Sequence, residues 1–491
     1  MVDDNPLKHS KNRTLGDLSV SGRSGIQFPS LDVPEQEGLP KELLREEYVK
    51  LPELSELDVV RYFTNLSQKN FSVDTNFYPL GSCSMKYNPK INDAVASLPG
   101  FARLHPLQEN AFIQGSLELM YELQSSLMEL TGFSGSSLAT LAGAHGELAG
   151  VLMIKAYHES NGDSQRNVIL IPDSAHGTNP ASAAMAGFSV ATIPSDSNGN
   201  MDVDAVRSLA KDNLAGAMIT LPSTLGLFDT SIVEICQIIH EAGGLIYCDG
   251  ANMNAILGRV RLSDLGFDVV HLNLHKTLST PHGGGGPGSG PVCVGEKLLT
   301  FLPSPVVTKS NGKEGTHFNL SDPVNSIGKV AAFHGNFGVL VRAYAFVRAL
   351  GLTGLRHVSG DAVLNANYIL SSLKDVYKVA FDRKCMHELV LSLSPQKSKG
   401  VKALDVSKRL IDYGIHPPTM YFPLVVEEAL MIEPTESETK ETLDSFIEIM
   451  RKIAIECEEN PDVILSAPNF APIGRLDEAM AARRPNLRQV Y

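Results

Sequence analysis

From about residue 111 the chain alternates between two hydrophobic rhythms. Leu119, Met120, Leu123, Leu127 and Leu130 recur every three or four residues and are closed by Gly132, which predicts an amphipathic helix ending in a glycine cap. Short apolar runs follow at 168–171, 216–221, 245–248 and 269–273, with helical stretches between them. That alternation predicts an α/β fold in which a mainly parallel sheet is wrapped by helices. After about residue 355 the rhythm changes. Strand-like runs at 388–393 and 420–426 flank a helix over 403–413. A last long helix carries Leu443, Phe446, Ile447, Met450, Ile453, Ala454 and Cys457 as its core stripe, with Thr435-Glu-Ser-Glu438 as its expected capping box. Ahead of the sheet, residues 1 to about 50 read as a polar arm and the stretch to about 110 as loop-rich. The expected division is therefore an arm and loop-rich segment (1–110), a large domain (111–354) and a smaller α+β domain (355–491).

Ligands of parallel sheets gather beyond the carboxyl ends of the strands, and three of these runs end in reactive side chains. The run at 269–273 delivers His275 and Lys276 to a loop with six glycines between 283 and 290. A phosphate loop would place the glycines before the lysine, the reverse of the order here. A lysine on a rigid element, partly desolvated, suits Schiff-base chemistry. The run at 245–248 ends at Asp249, 27 residues before Lys276, leaving room for one connection and the next strand. A strand-end aspartate alone is an ordinary helix cap. Paired with a lysine it matches the needs of pyridoxal phosphate: the lysine carries the aldehyde carbon as an aldimine, and the aspartate keeps the ring nitrogen protonated. His176, past the run at 168–171, could stack on that ring or cap the helix starting near Asn179-Pro180. Gly143, Ala144 and His145 open a helix whose first N–H groups suit a phosphate, although small residues also start helices for packing reasons.

Five motifs in order carry a resemblance: Tyr78-Pro-Leu-Gly-Ser-Cys-Ser-Met-Lys86-Tyr-Asn-Pro89, Gly143-Ala-His-Gly-Glu147, His176-Gly-Thr-Asn-Pro180, Asn273-Leu-His-Lys-Thr277 with its glycine-rich tail, and Gly335-Asn-Phe-Gly338. Together they resemble the glycine decarboxylase P-protein of the glycine cleavage system, from about residue 30 to the C-terminus. The likeness is to the lysine-bearing half, which in split forms is a separate subunit 2. The resemblance implies an aminotransferase-like fold type I enzyme, a glycine dehydrogenase (aminomethyl-transferring), with pyridoxal 5'-phosphate on Lys276. It implies decarboxylation of glycine and transfer of the aminomethyl group to the lipoyl arm of H-protein. A partner subunit 1, two copies of each chain, follows from the same likeness. Residue by residue, it implies catalytic roles for Lys276, His176 and Asp249. Gly143, Ala144, His145, Ala251, Asn252, His275 and Thr224 are the further cofactor contacts, and Asn336 reaches toward a neighbouring subunit's cofactor. The family pattern often carries threonine at Ser84 and asparagine at Ser223, two mild departures.

A net charge of −13 disfavours nucleic acid and anionic membranes as partners. The longest apolar stretch, near 330–350, is broken by His334, Arg342 and Arg348, so no membrane span is expected. The N-terminus has neither the basic flank nor the apolar core of a signal peptide. The six cysteines lack CxxC spacing and read as cytosolic thiols, and the histidines show no metal-ligand spacing, so no metal is expected. The Tyr78–Pro89 motif reads equally as the lining of a substrate entrance or as a buried turn, with Cys83 more an inert thiol than a redox switch. Two other functions stay open. One is a different fold type I decarboxylase or desulfurase, for which Cys83 alone lies in a suitable loop. The other is a non-catalytic assembly subunit, which would have no need of the Lys276–Asp249 pair.

Overall fold

The computed structural model describes residues 13–34, 38–47, 49–283, 288–313 and 315–487. They fall into two compact units, one of residues up to Ser72 together with those from Phe470, the other Val73–Asn469. That division differs from the three regions expected from the pattern: the seven-, four- and two-stranded sheets and most of the loop-rich segment all lie in the second unit. In the first unit Ser55 caps the helix Glu56–Ser67 by accepting the Asp58 N–H, and no residue of that helix is buried.

The second unit is built on a seven-stranded sheet. Its strands are β1 (Gly135–Ser137), β2 (Val168–Pro172), β3 (Ser189–Ile193), β4 (Leu214–Thr220), β5 (Leu245–Gly250), β6 (Val269–Leu272) and β7 (Val292–Val294), in the spatial order β1-β7-β6-β5-β4-β2-β3. β2 to β6 pair in parallel, and β7 runs antiparallel to both β6 and β1. All residues of β4, β5 and β6 are buried, which is why these runs are apolar without alternation. One face packs on the helix Gln114–Thr131 through Leu117, Leu123 and Leu127, and the other on the helix Gly143–Ser160 through Val151, Met153 and Ile154. Gly132 ends the first of these helices with φ 81°, as its position predicts.

The C-terminal part forms a four-stranded antiparallel sheet, Lys378–Val379, Leu389–Ser392, Ala429–Ile432 and Thr419–Met420 in spatial order. Two expectations are corrected here. The strand expected over 420–426 is only Thr419–Met420, since Pro423 lacks the N–H a ladder needs, and the central strand is Ala429–Ile432. The last long helix is Lys440–Glu459, capped by Thr439 rather than by a box at Thr435. Thr435 has φ 67°, and its hydroxyl bonds Ser437 Oγ.

Helix Phe337–Leu373, broken at Gly351 (φ 59°), is long and apolar enough by length and composition to cross a membrane. Here the apolarity serves two cores at once. Val339, Leu340 and Phe346 pack into the large core, and Ala366, Ile369 and Leu373 into the small one.

Lys86 ties these parts together. It is 3 % exposed, and its Nζ donates to Asn254 Oδ1 (2.9 Å), Thr277 O (2.8 Å) and Glu436 Oε1 (2.6 Å). Replacing it with methionine takes the ammonium donor from the Thr277 carbonyl and from Glu436, which keeps Asn254 Nδ2 at 3.2 Å. Lys86→Met is expected to cost about 3–5 kcal/mol, read as a lower urea midpoint at unchanged slope. A midpoint equal to that of the wild type would show that the ammonium contributes nothing beyond the alkyl stem.

Candidate active site

Because β6, β5, β4 and β2 are neighbours, their carboxyl ends open side by side on one cavity of about 360 Å³. The volume lies in the range of small-molecule sites. Residues distant in sequence meet there. His176 lies in the turn between β2 and the helix Thr178–Met185, Thr224 follows β4, Asp249 sits near the end of β5, and Lys276 lies on the helical turn Leu274–Thr277 after β6.

Asp249 is 4 % exposed, accepts the Ala251 N–H at 3.0 Å and lies 3.7 Å from His271 Nε2. Asn179, oriented so that its amide donates, reaches Asp249 Oδ2 at 3.3 Å and Glu147 Oε2 at 3.0 Å. Glu147 also accepts the Thr178 hydroxyl at 2.9 Å. Burial, and then the Asp249 charge, push Glu147 up to about 7, against the lowering effect of the Ser182 and Thr178 hydroxyls. In the unfolded chain this carboxyl loses its proton near 4.5, so folding is progressively disfavoured as pH rises from there to about 7, and the full cost persists above. Glu147→Gln should therefore raise the melting temperature by roughly 2–8 °C at about pH 8 and leave it nearly unchanged at about pH 5. An equal gain at both pH values would point to packing instead.

His176 Nδ1 bonds the Thr178 hydroxyl at 2.9 Å, and its ring stands edge-on to Phe422 at 5.6 Å between centroids. Burial lowers its pKa, favouring a flat neutral imidazole. Behind Asp249, His271 is fully enclosed, with the Tyr247 hydroxyl on Nδ1 and Asn273 Oδ1 at 2.9 Å from Nε2. Lys276 Nζ donates to the Ser82 carbonyl at 2.6 Å. Its two histidine neighbours carry no competing charge. Burial first, and nearby cations next, push His275 down to about 3 and His282 down to about 4.

The helix Gly143–Ser160 starts at the cavity with no side chain capping it. A Cβ on Gly143 would collide with the Asn273 side chain, and one on Gly290 with the Ala142 carbonyl. The glycines thus serve close packing of loop, helix start and strand end. Uncapped N–H groups at an 18-residue helix make an anion site. Anion site, buried carboxylate, flat imidazole and primary amine around one cavity fit the phosphate, ring nitrogen, ring face and aldehyde of pyridoxal phosphate.

Other expected residues take varied places. Ala144, Ala251, Asn252, His275 and Thr224 line the cavity. The Thr224 hydroxyl donates to the Ser174 carbonyl, and Asn252 Nδ2 donates to Pro222 O at 2.9 Å, so both groups brace the rim. His145 does not line the cavity. Its Nδ1 accepts the Leu141 N–H at 3.2 Å, just ahead of the helix start. Asn336 bonds the carbonyls of Gly288 and Leu141 of its own chain. Residues 284–287 of the glycine-rich loop lie outside the described residues.

Pattern reading missed Glu147, Thr178, Asn179 and His271, and also Thr419 and Phe422 from the C-terminal part. Glu147 was within reach, because it lies four residues after Gly143 on the same helix face. For Phe422 nothing local signals a role in a site more than 140 residues upstream.

Fold and site together define the class: a pyridoxal-phosphate enzyme of the aminotransferase-like fold, type I. A family model described as glycine cleavage system P-protein matches residues 24–321, and one described as glycine dehydrogenase, C-terminal domain, matches 358–467. The chain is 58 % identical over 480 residues to a probable glycine dehydrogenase (decarboxylating) subunit 2 of Caldanaerobacter subterraneus subsp. tengcongensis, covering 97 % of this chain and 98 % of the relative. Its counterpart in Listeria monocytogenes is 54 % identical over 475 residues, covering 96 % of each. Among solved structures, an inhibitor-bound glycine decarboxylase (P-protein) superposes with TM-score 0.72 at 21 % identity over 84 % of this chain and 93 % of that one. A cysteine desulfurase from Thermococcus onnurineus superposes with TM-score 0.60 at 15 % identity over 78 % and 95 %, a likeness of fold. The chain belongs to the glycine cleavage system P-protein family.

Proposed function

We propose that this chain decarboxylates glycine and passes the remaining aminomethyl group to the lipoyl arm of an H-protein, as subunit 2 of a split P-protein in the cytoplasm. The observation that carries the reading is the meeting of Lys276 and Asp249 in one cavity of a chain related over nearly its whole length to subunits of that name. Pyridoxal phosphate, when bound, supplies an electron sink for the pair released as CO2 leaves.

The chain's own groups do the rest. Lys276 would provide the amine that attaches the cofactor. Asp249, held by the Ala251 N–H and Asn179, would be the carboxylate partner of the ring nitrogen. His176, pinned by Thr178, would offer a flat ring to the cofactor face. The N–H groups of Gly143 and Ala144 would hold the phosphate. The amino-bearing carbon of glycine then bonds one sulfur of the lipoyl disulfide, the S–S bond breaks, and the second sulfur takes a proton.

Relatives named as subunit 2 imply a subunit 1, and the P-protein resemblance supports two of each chain and a lipoylated H-protein as carrier. The six cysteines are all free thiols, which suits a reducing compartment. The test is glycine-dependent exchange of labelled CO2 with lipoylated H-protein, for this chain alone and with subunit 1. Exchange with the partner present is expected. No exchange in either case, with cofactor bound, would overturn the reading in favour of a decarboxylase that uses no lipoyl carrier.

A further inference from the structure

The turn Gly81–Ser84 is held in an uncommon shape by the small sheet, and it holds Lys276 in turn. Ser82 and Ser84 have φ of 63° and 46°, a region that non-glycine residues keep only where their surroundings impose it. Two fully buried carboxylates impose it here. The Ser82 N–H donates to Glu388 Oε2 at 2.8 Å, the Ser84 N–H to Glu433 Oε2 at 2.8 Å, and the Ser84 hydroxyl to Glu433 Oε1. Thr419 donates to the Gly81 carbonyl at 2.8 Å, and Leu80 bridges Ile432 of the central strand. A Cβ on Gly81 would collide with Met431, so the turn lies flat against that strand. Its shape aims the Ser82 carbonyl at Lys276 Nζ, 2.6 Å away.

The carboxylates sit beside His387, with Glu433 Oε1 3.7 Å from its Nε2. Burial and the neighbouring Glu433 push Glu388 well above the ordinary carboxylate range, and burial lowers His387. Glu433 accepts both Ser84 donors. Together the two carboxyl groups shape the turn.

We propose, resting on Lys276 as the cofactor lysine, that the Gly81–Ser84 turn is the dock that receives the Lys276 amine whenever the substrate amine replaces it. In that exchange the carbon–nitrogen bond to lysine breaks as the bond to the glycine nitrogen forms. The surplus proton of the glycine ammonium ends on Lys276 Nζ, which donates to the Ser82 carbonyl. Glu388 and Glu433 are positioning residues, since each acts on the lysine through the turn.

The test is trace acetylation of the full chain without cofactor at neutral pH, with labelling of Lys276 read by mass spectrometry relative to exposed Lys211. Acetylation needs the amine lone pair free, so a dock that keeps the amine bonded to the Ser82 carbonyl slows it. Glu433→Gln should raise Lys276 labelling severalfold, because the amide offers one acceptor to the two Ser84 donors that hold the turn. Glu388→Gln keeps an oxygen for the Ser82 N–H, so it should raise labelling less than about twofold. Ser84→Gly removes the hydroxyl donor but suits the left-handed backbone, so it folds whatever the fate of Glu433→Gln, and it should raise labelling severalfold. Wild-type labelling of Lys276 in both Glu433→Gln and Ser84→Gly would overturn the dock. Borohydride trapping of the loaded wild type tests the underlying reading separately: cofactor fixed on another lysine removes the role of Lys276 itself.

Discussion

Lys276→Ala is expected to abolish turnover and the visible absorption of the lysine-bound cofactor while leaving the fold intact. The side chain is half-buried at the cavity edge and makes one hydrogen bond, to the Ser82 carbonyl, so its removal takes little from the core. Its chemistry has no substitute nearby. Lys86, the other enclosed lysine close by, is engaged by Asn254, Thr277 and Glu436. A loss on the order of 10⁴-fold or more in the CO2 exchange rate is expected, with the melting temperature within a few degrees of wild type. A variant that still exchanges CO2 at a comparable rate would show that the amine is dispensable.

Asp249→Asn is the second large effect. The substitution is nearly isosteric, and the asparagine oxygen still accepts the Ala251 N–H. What it removes is charge, and it turns an amide donor toward Asn179, which donates in the same direction. The cofactor ring nitrogen then lacks the partner that keeps it protonated, so weak cofactor retention and a fall of roughly 10²- to 10⁴-fold in rate are expected. A further signature separates charge from shape. The Asp249 charge helps hold Glu147 at about 7, so Glu147 in this variant should titrate lower. Near-normal rates with tight cofactor retention would assign the ring nitrogen to another carboxylate, with Glu147 the nearest candidate.

Much of this site was legible before any coordinates. The runs at 168–171, 245–248 and 269–273 are buried on both faces in a parallel sheet, so they appear as short apolar blocks, and His176, Asp249 and Lys276 lie within a few residues of their ends. Where local pattern misled, competing constraints acted. The run at 420–426 is apolar enough for a strand, yet Pro423 and the positive φ of Tyr421 keep most of it out of the ladder.

The sequence by itself determined the strand order of the chemistry: which residues leave the sheet at its carboxyl edge, and that an amine and a carboxylate are among them. That much is local, because burial period and strand ends depend on neighbours a few residues apart. Only the tertiary structure decided how that edge is completed. It raised Glu147 by setting it against Asp249, placed Phe422 beside His176, and fastened the Tyr78–Pro89 motif to Glu388 and Glu433, more than 300 residues away. These pairings arise from packing between elements far apart in the chain, and the partners share no register along it that a pattern could reveal.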